Sequence, residues 1–190
     1  MTLAERKRAL RLTIAESVQS LDPKTRLEAD ATICSAVLGM PEYRACEQVL
    51  SYVPLKDEVD VAHISKSAIE SGKELYLPVA LRGRDLEYRR WRLGDALVRG
   101  EHGVLEPTNG DPLRMTGALM LVPGRGFSMD GWRLGRGGGY YDRALRLLSG
   151  IGTTVGVAYQ CQVVPDLPRG PGDEKVDRIV TELAREPYFR

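Results

Sequence analysis

A glycine-rich stretch at residues 123–143 constrains this chain more than any other part of the sequence. It reads PGRGFSMDGWRLGRGGGYYDR, follows the apolar run at 118–122 and precedes an amphipathic run at 144–148. This order is typical of a strand, a long loop and a helix. Seven glycines let the backbone bend sharply or approach a ligand closely, and four arginines accompany them.

The chemistry of this stretch indicates an anion site. Backbone N–H groups at the start of a helix, together with arginine, bind phosphate above all. No Gly-Lys-Ser/Thr follows the glycines, so the stretch is not a Walker A loop. It is not a dinucleotide fingerprint either, because Tyr140 stands where Gly135 and Gly137 would need a small residue. The alternative is a surface loop with solubilising arginines.

The composition predicts one domain over residues 1–190 without disulfide or zinc support. Hydrophobic residues make up 43% and charged residues 28%, the ordinary profile of a soluble chain. The net charge of +1 provides no general attraction to nucleic acid or membrane. Cys34, Cys46 and Cys161 have no metal-site spacing and are expected to be reduced thiols. No apolar run approaches 18 residues and no signal peptide is visible, which predicts a cytoplasmic location.

Two helices are predicted at the N-terminus, over residues 2–20 and 22–39. Thr2 and Glu5 have the spacing of a capping box, and Asp22 precedes a proline at the first helical position of the second helix. Lys7 and Arg11 are four residues apart and share a helix face beside the apolar stripe. From there they either reach a ligand or simply lie along the surface with packed stems.

Acidic residues follow the first predicted strand, residues 49–53. The segment after Pro54 contains carboxylates at 57, 58 and 60, in the place where ligand sites of open α/β sheets lie. Asp60 is the candidate cap for a helix at 61–71. The other carboxylates are either ligand-binding groups or solvated loop acids.

Short apolar strands alternate with helices along the rest of the chain, which predicts an α/β protein with a largely parallel sheet. A turn at 82–85 and an irregular excursion at 94–116 separate the middle strands, and His102 is expected at the surface. Phe127 is expected to line a cleft. The strands are predicted at 74–79, 86–91, 118–122, 153–159 and 178–181.

A magnesium site is predicted next to the glycine-rich stretch. Asp142 follows it directly, and a carboxylate beside a phosphate site is well placed for Mg²⁺, which takes oxygen ligands and bridges phosphates. The acidic segment DEKVD at 173–177 offers a second ligand. The alternative is that Asp142 pairs with Arg143 or caps the helix.

Four elements of the chain resemble the 5-formyltetrahydrofolate cyclo-ligase family. They are RLGRGGGYYDR preceded by a PGxGF turn, KRALR in the first helix, the strand followed by Glu58, and the D-x-K-V-D element. They occur in the family's order between residues 7 and 177. In place of the polar residue usual in the family just before the first Asp of this last element, Asp173, this chain has Pro171-Gly172.

The resemblance implies a Rossmann-like three-layer sandwich with an N-terminal helical hairpin and a bound Mg²⁺. It assigns folate contacts to Val53 and Glu58 and metal binding to Asp142 with Asp173, leaving Asp177 as a rival for the second position. The ATP-binding residues implied are Lys7, Arg11, Arg133, Leu134, Gly135, Arg136, Gly137, Gly138, Gly139, Tyr140 and Tyr141. The separate roles of the two tyrosines stay open.

The resemblance also implies a reaction of one-carbon folate metabolism. The enzyme would cyclise 5-formyltetrahydrofolate to 5,10-methenyltetrahydrofolate with ATP and Mg²⁺, releasing ADP and phosphate, through phosphorylation of the formyl oxygen. The alternatives are a non-catalytic paralogue that binds nucleotide or folate, an RNA-binding RGG module, and a sugar-phosphate isomerase or CoA-transferase on a similar fold. Neither nucleic acid nor membrane is expected as a partner, and a monomer or weak dimer is expected.

Overall fold

The computed structural model describes residues 1–81, 85–100, 103–113, 117–150 and 152–183, and the backbone of 188–189. Residues 82–84 of the predicted turn at 82–85 lie outside these residues, and so does His102. The helices are α1 (Leu3–Gln19), α2 (Pro23–Gly39), α3 (Pro41–Ala45), α4 (Ala62–Glu70) and α5 (Tyr140–Leu148). The strands are β1 (Gln48–Leu50), β2 (Glu74–Ala80), β3 (Leu86–Arg90), β4 (Leu97–Arg99), β5 (Leu105–Pro107), β6 (Ala118–Val122), β7 (Gly126–Ser128), β8 (Arg133–Leu134), β9 (Gly152–Val157), β10 (Val163–Val164), β11 (Arg178–Val180) and β12 (Tyr188–Phe189).

A seven-stranded sheet forms the centre, in the order β12-β11-β9-β6-β1-β2-β3. The five inner strands are parallel to one another, and β3 and β12 are antiparallel to their neighbours. In the middle, Gln48 of β1 is in register with Glu74 on one side and Ala118 on the other. The carboxyl ends of β1, β2 and β6 therefore meet at one edge, where ligand sites of such sheets lie.

Apolar side chains cover both faces of this sheet. Val49 points into a core shared with α1, α2 and α4, whereas the next residue, Leu50, points into a core shared with α5. Strand β6 is buried along its whole length, as expected of a strand covered on both faces. The predicted α/β sandwich with a largely parallel sheet is confirmed. None of the described helices is long and apolar enough to cross a membrane.

The two N-terminal helices begin where local chemistry predicts. The Glu5 N–H donates to Oγ1 of Thr2 at 3.2 Å, and the Thr2 N–H donates to Oε2 of Glu5 at 2.8 Å. Oδ1 of Asp22 accepts from the N–H groups of Lys24 and Thr25 at 3.0 Å each. These caps fix the starts of α1 and α2, and thereby the face on which Lys7 lies.

The glycine-rich stretch contains more regular structure than the predicted loop. Strands β7 and β8 form an antiparallel hairpin inside it, and β10 adds a parallel third strand. Phe127, the central residue of β7, is fully buried, so its predicted place in a cleft wall is wrong. A Cβ on Gly124 or Gly156 would come within 2.7 or 2.6 Å of the Phe127 ring, so both positions need glycine to admit it.

Strands β4 and β5 add an antiparallel hairpin between residues 97 and 107. It falls within the predicted irregular excursion, and β5 packs against β2. This contact brings Glu106 beside Ala80, at the carboxyl end of β2. The hairpin thus forms part of the same sheet edge as the segments that follow β1 and β6.

Candidate active site

A cleft of about 420 Å³ opens at the carboxyl ends of β1, β2 and β6. Its walls are the segment after β1, the end of β2, the β4–β5 hairpin, the turn after β6 and the glycine-rich stretch. The cleft therefore lies where the order of strands predicts a ligand site. The predicted site residues that line it are Val53, Glu58, Arg133, Gly135, Arg136, Gly138, Gly139, Tyr140 and Tyr141.

Arg133, which lines the cleft, forms an ion pair with Asp142. Nη2 of Arg133 lies 3.0 Å from Oδ2 of Asp142, and the arginine side chain is only 4% exposed. The guanidinium also lies over the Tyr141 ring, 5.4 Å from its centroid. Asp142 thus pairs with Arg133, whereas Arg143, the alternative partner considered from the sequence, pairs with Asp85.

The segment after β1 brings two carboxylates against arginines of the glycine-rich stretch. Asp57 pairs with both Arg125 and Arg136. Oε1 of Glu58 accepts from Nε of Arg136 at 3.3 Å, and Oε2 accepts from the Leu55 N–H at 2.9 Å. The Glu58 side chain is 11% exposed, so it is not a solvated loop acid.

Helix α1 supplies cations at the rim of the cleft. Nζ of Lys7 lies 2.6 Å from both carboxylate oxygens of Asp173, and Nε of Arg11 donates to the Gly135 carbonyl at 2.7 Å. Oδ2 of Asp173 also accepts from the Gly170 N–H at 2.6 Å. Lys7 and Arg11 are therefore tied to the predicted site and do not lie loosely along the surface.

Arginine side chains concentrate positive charge where α1 meets the glycine-rich stretch. Burial lowers the pKa of Arg125, and the neighbouring Arg136 and Arg11 lower it further. Burial also lowers the pKa of Arg11, although Asp173 opposes that shift. Guanidinium groups held this close together favour an anionic ligand, since a phosphate offers oxygens to several of them at once.

Two glycines of the stretch adopt backbone angles that other residues rarely take. Gly137 has φ 108°, and Gly139, the residue before α5, has φ 70°. These angles turn the chain from the hairpin into α5, whose first turn contains Asp142. The start of α5 therefore borders the cleft, and N–H groups at a helix start suit a phosphate.

Some predicted site residues do not line the cleft. Leu134 is only 1% exposed as a whole residue, and its carbonyl accepts from the Arg125 N–H at 2.8 Å within the β7–β8 hairpin. Arg11 and Asp142 stand behind the lining residues and contact Gly135 and Arg133, respectively. Lys7 and Asp173 contact each other, and Asp173 also accepts from the Gly170 N–H. The structure thus unites residues from both ends of the chain at one site.

The Glu58 segment has supports that sequence reasoning missed. Nη2 of Arg26 donates to the Glu58 carbonyl at 3.0 Å, and Nε of Arg26 donates to the Tyr159 hydroxyl at 2.9 Å. The Tyr159 hydroxyl in turn donates to Oδ1 of Asp30 at 2.7 Å. These residues come from α2 and from the end of β9, and no motif marks them. Arg125 was also missed, although its place in the glycine-rich stretch was a signal.

The carboxylates near the glycine-rich stretch fit a magnesium ion that uses phosphate oxygens as further ligands. Oδ1 of Asp142 is buried and has no hydrogen-bond partner among the described residues. The described residues contain no cluster of three or more His, Cys, Asp or Glu side chains suited to a metal. Mg²⁺ commonly binds through one or two carboxylates together with phosphates and water. Oδ2 of Asp177 accepts from the N–H and hydroxyl of Thr154, a contact between neighbouring strands that favours Asp173 as the second ligand.

This fold and cleft define an α/β protein with an arginine-lined cleft at the carboxyl edge of its sheet. Residues 3–182 match the model of the 5-formyltetrahydrofolate cyclo-ligase family. The chain belongs to this family and is an enzyme of the cyclo-ligase class. The resemblance found in the four sequence elements is confirmed.

Relatives with cyclo-ligase or synthetase names match this chain over most of its length. The 5-formyltetrahydrofolate cyclo-ligase of Mus musculus is 27% identical, covering 96% of each chain. A mitochondrial cyclo-ligase of Arabidopsis thaliana is 28% identical over 95% of this chain and 75% of its own length. The solved structure of Aquifex aeolicus 5,10-methenyltetrahydrofolate synthetase is 33% identical with a TM-score of 0.84, covering 96% of this chain and 92% of that one.

Proposed function

We propose that this enzyme cyclises 5-formyltetrahydrofolate to 5,10-methenyltetrahydrofolate, using ATP and Mg²⁺ and releasing ADP and phosphate. The observation that carries the proposal is the union, in one cleft, of a cationic side and a largely apolar side in a chain of the cyclo-ligase family. The two sides suit the two substrates, because one is a polyanion and the other has a flat heterocycle.

ATP binds on the cationic side in this proposal. Lys7, Arg11, Arg133 and Arg136, with the backbone N–H groups at 135–139 and the start of α5, neutralise the phosphates. Leu134 supports this backbone from its buried position in β8. Tyr140 and Tyr141 lie next to these groups, where they orient the nucleotide or the formyl group.

Asp142 and Asp173 hold the magnesium ion. Bound there, Mg²⁺ would neutralise charge on the phosphate oxygens. Lys7 then exchanges its contact with Asp173 for one with a phosphate. The ion pairs of Lys7 and Arg133 keep these carboxylates in place before the ligands arrive.

The folate binds toward the apolar side, where Val53 lines the cleft and Glu58 accepts hydrogen bonds from N–H donors of the pterin. Arg26 holds the Glu58 segment through the Glu58 carbonyl, and Asp30, which accepts from the Tyr159 hydroxyl, also accepts from the Asp60 N–H at 3.1 Å. The carboxylate is thereby held at the cleft, so little conformational entropy is lost on binding.

The chemistry needs no protein nucleophile. The formyl oxygen attacks the γ-phosphorus, and the bond from that phosphorus to ADP breaks. N10 then attacks the activated formyl carbon and loses its proton, and phosphate leaves with the former formyl oxygen. The enzyme's contribution is to position both substrates and stabilise charge, as in other phosphoryl transfers.

The test is the appearance of methenyl absorbance from 5-formyltetrahydrofolate, with ATP, with Mg²⁺, and with each omitted in turn. Product that requires all three components supports the proposal. Binding of ATP and folate without any product would identify a non-catalytic paralogue and overturn it. The cytoplasmic location and the monomeric or weakly dimeric state stay predictions.

A further inference from the structure

Glu106 is a buried carboxylate that the reaction described above does not use. It lines the cleft, yet its relative exposure is only 9%. Among the described residues, its one hydrogen bond comes from the Ala80 N–H to Oε1, at 3.3 Å. A buried carboxylate is costly unless it is paired with a cation or well hydrogen-bonded. One long hydrogen bond therefore leaves Glu106 with too few partners.

The β4–β5 hairpin and a neighbouring glycine determine where this carboxylate lies. Glu106 sits on β5, opposite Val98 of β4, in the hairpin that packs against the end of β2. A Cβ on Gly100 would lie 2.3 Å from the Glu106 carboxylate carbon, so the glycine leaves room for the acid. The hairpin thus brings Glu106 to the cleft, and Gly100 leaves the space that its carboxylate occupies.

The other carboxylates of the cleft differ from Glu106 in their partners. Asp57, Glu58 and Asp142 each form an ion pair with an arginine of the glycine-rich stretch. No ion pair of Glu106 occurs among the described residues. Its negative charge is therefore left for a ligand to satisfy, and it would repel a phosphate.

The neighbours of Glu106 indicate the kind of ligand. Pro78, Ala80, Leu86 and Val104 line the same side of the cleft and are apolar. An uncharged, flat ring with adjacent N–H donors fits a wall of this kind, because the ring packs on the apolar surface while a carboxylate accepts from two donors.

From these observations the geometry points to Glu106 as a substrate-specificity residue that accepts hydrogen bonds from the 2-amino group and the N3–H of the pterin. This inference rests on the proposed function. A tetrahydropterin has N–H donors on two edges, so Glu58 and Glu106 bind different edges of the same ring. Glu106 would then distinguish an aminopyrimidinone from rings without that donor pair.

The test compares Glu106→Gln with the unchanged enzyme on two folates, 5-formyltetrahydrofolate and its 2-desamino-2-methyl analogue, by calorimetric binding and by turnover. The unchanged enzyme should bind the natural folate about ten- to a hundredfold more tightly than the analogue. Glu106→Gln should lose most of this preference, while its KM for ATP stays within about twofold. Glu70→Gln, on the exposed side of α4, is the matched control.

Gly100→Ala provides a second variant in case Glu106→Gln folds poorly. It leaves the carboxylate in the chain but displaces it, and should also weaken binding of the natural folate more than that of the analogue. Equal losses for both folates, or an unchanged preference in both variants, would overturn the inference. Binding without turnover in the unchanged enzyme would contradict the proposed function alone, since the binding comparison still decides the role of Glu106.

Discussion

Lys7 and Asp173, 166 positions apart in the sequence, form an ion pair with 2.6 Å between Nζ and each carboxylate oxygen. Both side chains are largely buried, at 16% and 14% exposure. The pair joins α1 to the segment before β11, and it unites a predicted ATP residue with a predicted magnesium ligand. Each of the two groups that we propose to bind ligands thus holds the other in place.

Removing Lys7 should weaken ATP binding. In Lys7→Ala the phosphate loses a charge-assisted contact, and we expect the KM for ATP to rise about tenfold or more while the KM for folate changes little. Steady-state kinetics with each substrate varied measures both values. Lys24→Ala, an exposed lysine on α2, is the control. A rise confined to the folate KM would contradict the assignment.

Replacing Asp142 should remove magnesium-dependent turnover. Asp142→Asn keeps the size of the side chain but not its charge. We therefore expect turnover to fall about a hundredfold and the Mg²⁺ concentration needed for half-maximal turnover to rise. The lost ion pair with buried Arg133 should also lower the free energy of unfolding by about 1–3 kcal/mol. A magnesium titration and a denaturant titration measure these effects.

Asp166→Asn serves as the control for this variant, because Asp166 is an exposed acid. It should match the unchanged enzyme in both titrations. If Asp142→Asn kept its turnover and its Mg²⁺ dependence, Asp142 would be only the ion-pair partner of Arg133.

Neutralising Glu58 should weaken binding of the folate. Glu58→Gln loses the charge that accepts from the pterin and from Arg136, so we expect a tenfold or larger rise in folate KM. The KM for ATP should change less, since the arginines keep Asp57 as a partner. An unchanged folate KM in initial-rate measurements would show that Glu58 serves only to hold the loop.

The backbone turn at Gly137 can be tested against a matched glycine. Gly137 and Gly72 both have positive φ, 108° and 79°, and an added Cβ would have no close contact at either position. Alanine at each should cost about 1–2 kcal/mol of stability from backbone strain. Only Gly137→Ala should raise the KM for ATP. Equal kinetics in the two variants would show that the shape of the glycine turn is not needed for ATP.

The cysteines should resist modification in the folded enzyme. Burial raises the pKa of Cys34 to about 11, and it also raises the pKa of Cys46 and Cys161. Because the thiolate is the reactive form, a thiol reagent at pH 8 should label the native chain slowly and the unfolded chain quickly. Rapid labelling of Cys34 in the native chain would contradict its burial.

Local signals made much of the fold predictable. The caps at Thr2 and Asp22 depend on residues within three positions of each other, and helices α1 and α2 begin where these caps predict. Strand β6 was predictable in full because apolar residues fill both of its faces. The hairpin β7–β8 was not, because it depends on burying Phe127 of β7 in space that Gly124 and the distant Gly156 leave open.

The site was predictable in its motifs but not in its contacts. The glycine-rich stretch, Glu58 and Asp142 are marked by residue type and position. The pairing of Arg125 with Asp57, and the support of Glu58 by Arg26 and Tyr159, depend on the folded order of strands and helices. Sequence spacing alone does not predict these contacts, because the residues that form them are far apart in the chain.

Transfer of the formyl oxygen to phosphate tests the central claim most directly. 5-Formyltetrahydrofolate labelled with ¹⁸O in the formyl group is incubated with the enzyme, ATP and Mg²⁺, and the released phosphate is analysed by mass spectrometry. Attack of the formyl oxygen on the γ-phosphate predicts one ¹⁸O atom in each phosphate formed with the methenyl product. Methenyl product accompanied by unlabelled phosphate would contradict the proposed phosphorylation.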